Sequence, residues 1–392
     1  MYGLEDFVIE NSVLVKYVGN EESVEIPDCV TTIGNDAFRS NYNLYSVRFS
    51  SSVKEIGNGA FCACRKLNTL DLNDGLEDIG ENVFDGCSSL TQIVIPQSVT
   101  QLGYGVFFDC DELKKVTLPS QIKSIPISAF VNCRQLETIE IPNGVTFIQN
   151  HAFYGCSTLS SVKIPDSVIA IDENAFGFCR KLETIQLPPR LKVIRGGVFM
   201  RSGLTNVVIP DEVTAIEDNA FAYCEHLASV RFPQRLEKIG RGSFVNDKSL
   251  KNVVIPPTVI SIGEYAFSTC LGLQELDLRS LPVSVLGKTG FEALVTYAKN
   301  LIKGVEYDDN VKIENRKFAK KYKNDLTQIA LKNGELMWYM TNEKIFTLKE
   351  AMEMLMKTNE NTLIDVKACL IAYVESFDLA ERQKIENLIL EL

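Results

Sequence analysis

The residues of this 392-residue chain best suited to chemistry are its eleven cysteines. Eight of them, Cys64, Cys87, Cys110, Cys133, Cys156, Cys179, Cys224 and Cys270, recur at long, regular intervals. Metal ligation needs sulfurs that converge on a point, usually as close C-x-x-C pairs. Long regular spacing instead distributes thiols along an axis, where each fills one small buried slot. Successive units bring the cysteines near each other, but parallel Cβ directions make disulfides awkward. An odd total of mostly free thiols points to a reducing compartment. His151 and His226 belong to no motif and are expected at the surface. The sequence holds no G-x-x-x-x-G-K-[ST] loop, no G-x-S-x-G elbow and no H-E-x-x-H helix. Carboxylates are plentiful, so a glycosidase-type pair stays open, but nothing marks one. The sequence predicts no catalytic residue, no cofactor and no metal.

The cysteine column belongs to a repeat, and a phenylalanine measures it. Phe38, Phe61, Phe84, Phe107, Phe130, Phe153, Phe176, Phe199, Phe221, Phe244 and Phe267 are 23 residues apart, except for one step of 22 from Phe199 to Phe221. The missing residue falls between Phe199 and Leu204. A fixed period of this length marks a solenoid. Six residues after the Phe comes a Leu, and aliphatics follow at nine and eleven, as in Leu136, Ile139 and Ile141. That alternation predicts a short strand. A proline then usually ends it (Pro96, Pro142, Pro165), since proline cannot donate to a ladder. A Val-x-x-Ile segment adds a second apolar edge, and Gly-x-x-Ala-Phe-x-x-Cys turns the corner. No copy can form a core alone. Stacked copies bury their apolar residues jointly, with parallel strands about 4.8 Å apart.

From about Val30 to Leu278 this pattern resembles the BspA-like leucine-rich repeats, with consensus L-x-x-I-x-I-P-x-x-V-x-x-I-G-x-x-A-F-x-x-C. The resemblance implies an α+β protein: a right-handed curved leucine-rich-repeat solenoid of parallel short strands, the strands on its concave side, followed here by a small all-helical C-terminal domain. It also implies adhesion to protein or matrix partners, often at bacterial or protist surfaces, and it brings no catalytic residues.

Three segments are expected. Residues 1–29 read as an N-terminal cap, a hairpin around Glu10-Asn11-Ser12 plus a partial repeat ending at Pro27. Residues 30–279 hold the eleven repeats. Residues 280–392 read as helices. Apolar spacing predicts helices over 289–302, within 313–331 and over 361–377. A Thr347–Glu350 capping box opens another at 351–357, and Asp378 caps a last one ending at Leu390. The 347–377 pair is weakly similar to an ankyrin unit. A basic run, Arg316-Lys317, Lys320-Lys321 and Lys323, reads as a solvated helix face.

Charge narrows the partners. Residues 1–279 carry 24 basic and 34 acidic residues, net −10, and residues 280–392 carry 16 and 17, net −1. An acidic solenoid argues against nucleic acid, whose phosphates need a basic footprint. No apolar run is long enough for a transmembrane segment. The N-terminus has no basic and apolar leader, which tilts the reading to the cytoplasm. A processed leader would instead place the chain at the cell surface or outside the cell.

The outward column of the strands, ten residues after each Phe, is the expected concave binding face: Arg48, Asp71, Thr117, Glu140, Lys163, Gln186, Arg231 and Asp277, interleaved with Val94, Val208 and Val254. Its signs do not cluster. Protein or peptide is therefore the expected partner, with a glycan open through the hydroxyls of Thr69, Thr138, Ser161, Thr184 and Ser229. Corner aromatics Phe108, Tyr154, Phe178 and Tyr223 are expected to pack over neighbouring coils. The resulting expectation is a non-enzymatic recognition scaffold. Its alternative is an intracellular interaction or assembly module working through the C-terminal helices, and a carbohydrate-active enzyme ranks last.

Overall fold

The computed structural model describes residues 4–272, 275–277, 309–358 and 362–378, with single positions at 298, 301, 302, 304, 306, 381 and 382. Most of the expected helix over 289–302, the break at 279–282 and the end of the last helix lie outside the described residues; Ala298, Leu301 and Ile302 are helical. The chain divides into two compact units, 1–258 with 265–275, and 259–264 with 276–392.

The repeats form a solenoid whose coils are numbered here 1–11 by their Phe, from Phe38 to Phe267. It starts with a hairpin. Strands β1 (Phe7–Glu10) and β2 (Val13–Tyr17) pair antiparallel. Asn11 and Ser12 between them take left-handed φ of 48° and 64°, the turn whose twist suits a two-residue hairpin.

Each coil then contributes to two ladders. Three-residue strands form one: β3 (Ser23–Glu25), β5 (Ser46–Arg48), β7 (Thr69–Asp71), β9 (Gln92–Val94), β11 (Lys115–Thr117), β13 (Thr138–Glu140), β15 (Ser161–Lys163), β18 (Asn206–Val208), β20 (Ser229–Arg231), β22 (Asn252–Val254) and β24 (Glu275–Asp277). Two-residue strands form the other: β4 (Thr32–Ile33), β6 (Glu55–Ile56), β8 (Asp78–Ile79), β10 (Gln101–Leu102), β12 (Ser124–Ile125), β14 (Phe147–Ile148), β16 (Ala170–Ile171), β17 (Val193–Ile194), β19 (Ala215–Ile216), β21 (Lys238–Ile239) and β23 (Ser261–Ile262). The Val-x-x-Ile edge is thus a second sheet. It continues from β2, since Val13 and Leu14 register with Thr32 and Ile33. Within each ladder the pairing is parallel and steps by one repeat, as Thr138↔Ser161 and Glu140↔Lys163 illustrate.

The corner between the ladders is the most regular part. The Phe rings stack through all eleven coils with centroids 4.9–5.9 Å apart and planes within 22°, and Tyr17 of the hairpin extends the stack to Phe38. From Phe38 to Phe244, each Phe N–H donates to a carbonyl of the next coil at 2.8–3.0 Å. Residues two before and two after each Phe adopt left-handed φ, so each corner is two tight turns around one buried ring.

The ladders are less uniform. The two-residue ladder breaks between β10 and β12. At equivalent places Gly57, Gly80 and Gly103 donate to the previous coil, but coil 5 has Pro126 there and proline has no N–H. It breaks again between β16 and β17. The three-residue ladder is interrupted after β7, after β11 and after β15.

The second unit, among its described residues, contains α1 (Asp309–Lys321), α2 (Lys323–Ala330), α3 (Gly334–Asn342), α4 (Leu348–Met356) and α5 (Ile364–Glu375). The expected capping box is present, with Thr347 and Glu350 each binding the other's main chain. The helical segment expected within 313–331 forms two helices, α1 and α2, divided at Tyr322. Helix α3, which the periodicity did not indicate, opens on Asn333, whose side chain accepts from Leu336 N–H at 2.8 Å. Helix α5 packs against both α3 and α4, and Tyr373 donates its hydroxyl to Phe346 O at 2.7 Å. Its core combines Leu336, Met340, Phe346, Val366 and Leu370, all buried.

Candidate functional site

The strand face is built by alternation. In β13, Ile139 is buried while Thr138 and Glu140 on either side point out. The same pattern recurs from coil to coil, so one outward side chain per coil occupies the position ten after the Phe. Arg48, Asp71, Thr117, Glu140, Lys163, Gln186 and Arg231 are all exposed there. Asp277 ends β24, and its side chain lies outside the described residues. Val94, Val208 and Val254 are 61–65% exposed in the same column, so it alternates charge with bare aliphatic surface.

Among the described residues, one pair of neighbours in this column meets. Arg48 Nε lies 3.6 Å from Asp71 Oδ2, with both side chains 70% exposed. That openness limits the pair to about 0–1 kcal/mol. Glu140 and Lys163 are register partners. The acids and bases are therefore dispersed along the sheet. Among the described residues no three His, Cys, Asp or Glu side chains gather as a metal site requires.

Coil 7 departs from this order. Its segment Thr184–Gln186 is not a strand, and no main-chain hydrogen bond joins residues 160–164 to 183–187. A cleft of about 370 Å³ lies there, lined by Ser161, Val162, Lys163, Ile164, Thr184, Ile185 and Gln186. Lys163 and Gln186 were expected on the face, but the opening between them was not.

The cysteine column is internal. The eight column thiols are buried, and each donates to the carbonyl of the preceding coil's Phe at 3.0–3.2 Å. All eleven cysteines are free. Burial pushes the column thiols upward, Cys64 and Cys270 to about 12, so thiolate chemistry is suppressed. Three coils carry other residues in the slot, Asn41, Ser202 and Asp247. Asp247 is fully buried. Its Oδ1 accepts from Cys224 N–H at 2.8 Å, while Oδ2 has no partner. Burial raises this carboxyl to about 9, so it is neutral at pH 7.

The corner aromatics pack as expected for three of four. Phe108, Tyr154 and Phe178 are half-buried, and the Tyr154 and Phe178 rings lie 5.0 Å apart. Tyr223 is 40% exposed and stacks instead with Arg201, whose guanidinium sits 4.6 Å from its ring and 5.4 Å from Phe178. His226 is exposed, but His151, expected at the surface, is half-buried with its edge against Tyr154.

The helical unit has its own cleft of about 280 Å³, lined by Lys323, Thr327, Phe346, Glu350 and Lys357 among others. Its central charges are already satisfied, because Lys323 pairs with Glu350 and Glu350 also closes the α4 cap. In the basic run, Arg316 lies 3.9 Å from Glu343.

A model of the BspA type leucine rich repeat region matches residues 9–135, 106–228 and 214–334. Among solved structures, a leucine-rich repeat protein from Bacteroides ovatus is 22% identical, with a TM-score of 0.52 over 68% of this chain and 87% of that one. A leucine rich cell surface protein from Faecalibacterium prausnitzii is 28% identical, with a TM-score of 0.50 over 68% and 91%. No curated protein matches the chain significantly.

Proposed function

The chain belongs to the BspA-type leucine-rich-repeat family, and from that premise we propose that it is a non-enzymatic recognition scaffold whose three-residue-strand face binds a protein or peptide. The observation that carries this reading is the exposed column ten after each Phe. One freely variable side chain per coil is displayed on a core whose Phe, Cys and Leu positions repeat. Such a surface offers many small, separately weak contacts, which suits an extended macromolecular partner better than a small molecule. Its mixed signs and exposed valines favour protein over nucleic acid, whose phosphates call for concentrated positive charge. The resemblance to a bacterial cell surface protein supports adhesion as the setting. The most strongly raised titratable groups, the column thiols and Asp247, are packed in the core, which supports the non-enzymatic part.

The test compares pull-downs by the intact chain and by a variant carrying Arg48→Glu, Glu140→Lys, Lys163→Glu and Arg231→Glu, both confirmed folded by circular dichroism. Loss of a captured protein in the variant is the expected result. Equal capture by both sinks the strand-face assignment.

A further inference from the structure

The ladder of three-residue strands is interrupted after β7 and after β11, but both sides keep their strands there. After β15 the next coil has lost its strand, and the cleft lined by residues 161–164 and 184–186 opens at that junction. A second irregularity lies one coil further on. Coil 8 is the short coil, with Ser202-Gly203-Leu204 doing the work of one more residue. The two-residue ladder also fails there, between β16 and β17. The Phe176–Phe199 ring separation, 5.9 Å, is the widest in the stack. Pro188-Pro189 alone does not explain the lost strand, because coil 10 has Pro256-Pro257 and keeps β22.

We propose that this cleft is a β-augmentation site, in which β15 accepts an extended segment of a partner protein as an added strand. The inference rests on the recognition reading and names where and how recognition occurs. β15 pairs with β13 on one side only, so its other edge offers main-chain donors and acceptors with no partner among the described residues. An extended peptide matches such an edge at strand spacing; a glycan or a helix does not. The floor is apolar: Val162 and Ile164 are each 7% exposed and Ile185 is half-buried. The rim is polar, with Ser161, Lys163, Thr184 and Gln186. Lys163 has no ion pair among the described residues, so an acidic side chain on the incoming strand complements it. The partner segment is thus extended, with an acidic residue beside an apolar one.

The test uses a library of short displayed peptides selected on the full chain, with the strongest binder then synthesised and followed by fluorescence anisotropy. Enriched acidic-apolar sequences are expected. Thr184→Trp, which fills the cleft from an exposed position, and Lys163→Glu are each expected to weaken binding about tenfold or more, and Lys238→Glu, exposed on the two-residue ladder, to leave it within about twofold. N-methylation at alternate peptide nitrogens should give the same loss, which contacts through side chains alone would not. If no peptide is enriched, or if binding ignores Thr184→Trp, the proposal is overturned. Peptides lost on Arg48→Glu but not on Thr184→Trp overturn it while leaving recognition by the strand face intact. Self-association abolished by Thr184→Trp would mean that a second copy, not a foreign peptide, fills the cleft, and it would overturn the proposal as stated.

Discussion

The Phe corner and the strand face are made by the same 23-residue unit, yet the corner runs unbroken through eleven coils and the face does not. The corner is held by side chains in register: a ring on a ring, and a thiol on the preceding coil's carbonyl. A side-chain contact tolerates a change in coil length because the ring and thiol can shift slightly. The face is held by main-chain pairing, in which donors and acceptors must stay in register. Regularity here resides in the packed corner, and variation, with the candidate site, in the sheet.

The sharpest way to break this contrast is to remove one ring. Phe153→Ala should destabilise the solenoid by about 3–5 kcal/mol, while Gln186→Ala on the face should stay within about 0.5 kcal/mol. Urea unfolding of both variants checks this, and comparable losses would refute the division of labour.

Repairing the corner should help. Asp247 occupies a cysteine slot with an unpartnered buried oxygen. Its folded-state carboxyl is raised to about 9 from an ordinary value of 3.8, so the folded chain keeps a proton that the unfolded chain releases. Its contribution to stability is therefore fully present below about pH 4 and is lost as pH rises towards 9. Asp247→Cys is expected to stabilise by about 1–3 kcal/mol at pH 8 and by much less at pH 5. Thermal unfolding at both values should show the gap widening with pH; a constant gap would mean that the carboxyl is not the cause.

The short coil depends on close approach. A Cβ on Gly203 would lie 2.2 Å from the Arg180 carbonyl oxygen, so Gly203→Ala should cost about 1–3 kcal/mol. Peptide binding at the neighbouring cleft should change with it, if the short coil is what opens the ladder.

Two smaller effects complete the comparison. Alkylation of the native chain at pH 8 should modify Cys29, which is exposed, quickly and Cys369 slowly, sparing the buried column; peptide mass mapping distinguishes this from uniform labelling. A double-mutant cycle on Arg48 and Asp71 should return a coupling of only about 0.2–1 kcal/mol, shrinking with salt.

Much of this was legible in the residues. The Phe ruler, the strand at Leu-x-x-Ile-x-Ile and the burial of the cysteines follow from period and polarity alone, because each copy repeats the same solution. The Thr347–Glu350 cap was equally readable, since both of its partners lie within one turn. Helix α3 was missed: Gly334–Asn342 is apolar on several sides, with Leu336, Met337, Tyr339, Met340 and Thr341 all buried, so it has no amphipathic stripe to detect. The second ladder was read only as an apolar edge, because two residues are too few to alternate.

The sequence by itself determined the solenoid, its period, its buried columns and the position of its one short coil. All of these are set by local spacing and by apolar side chains that only stacking can bury. The tertiary structure decided what depends on contacts between coils. It directed each column thiol to the carbonyl of the coil before it, left one oxygen of Asp247 buried without a partner, and opened the strand face beside the short coil. A missing residue is visible in a sequence. Which ladder it opens depends on how neighbouring coils share hydrogen bonds, and that exists only once they are stacked.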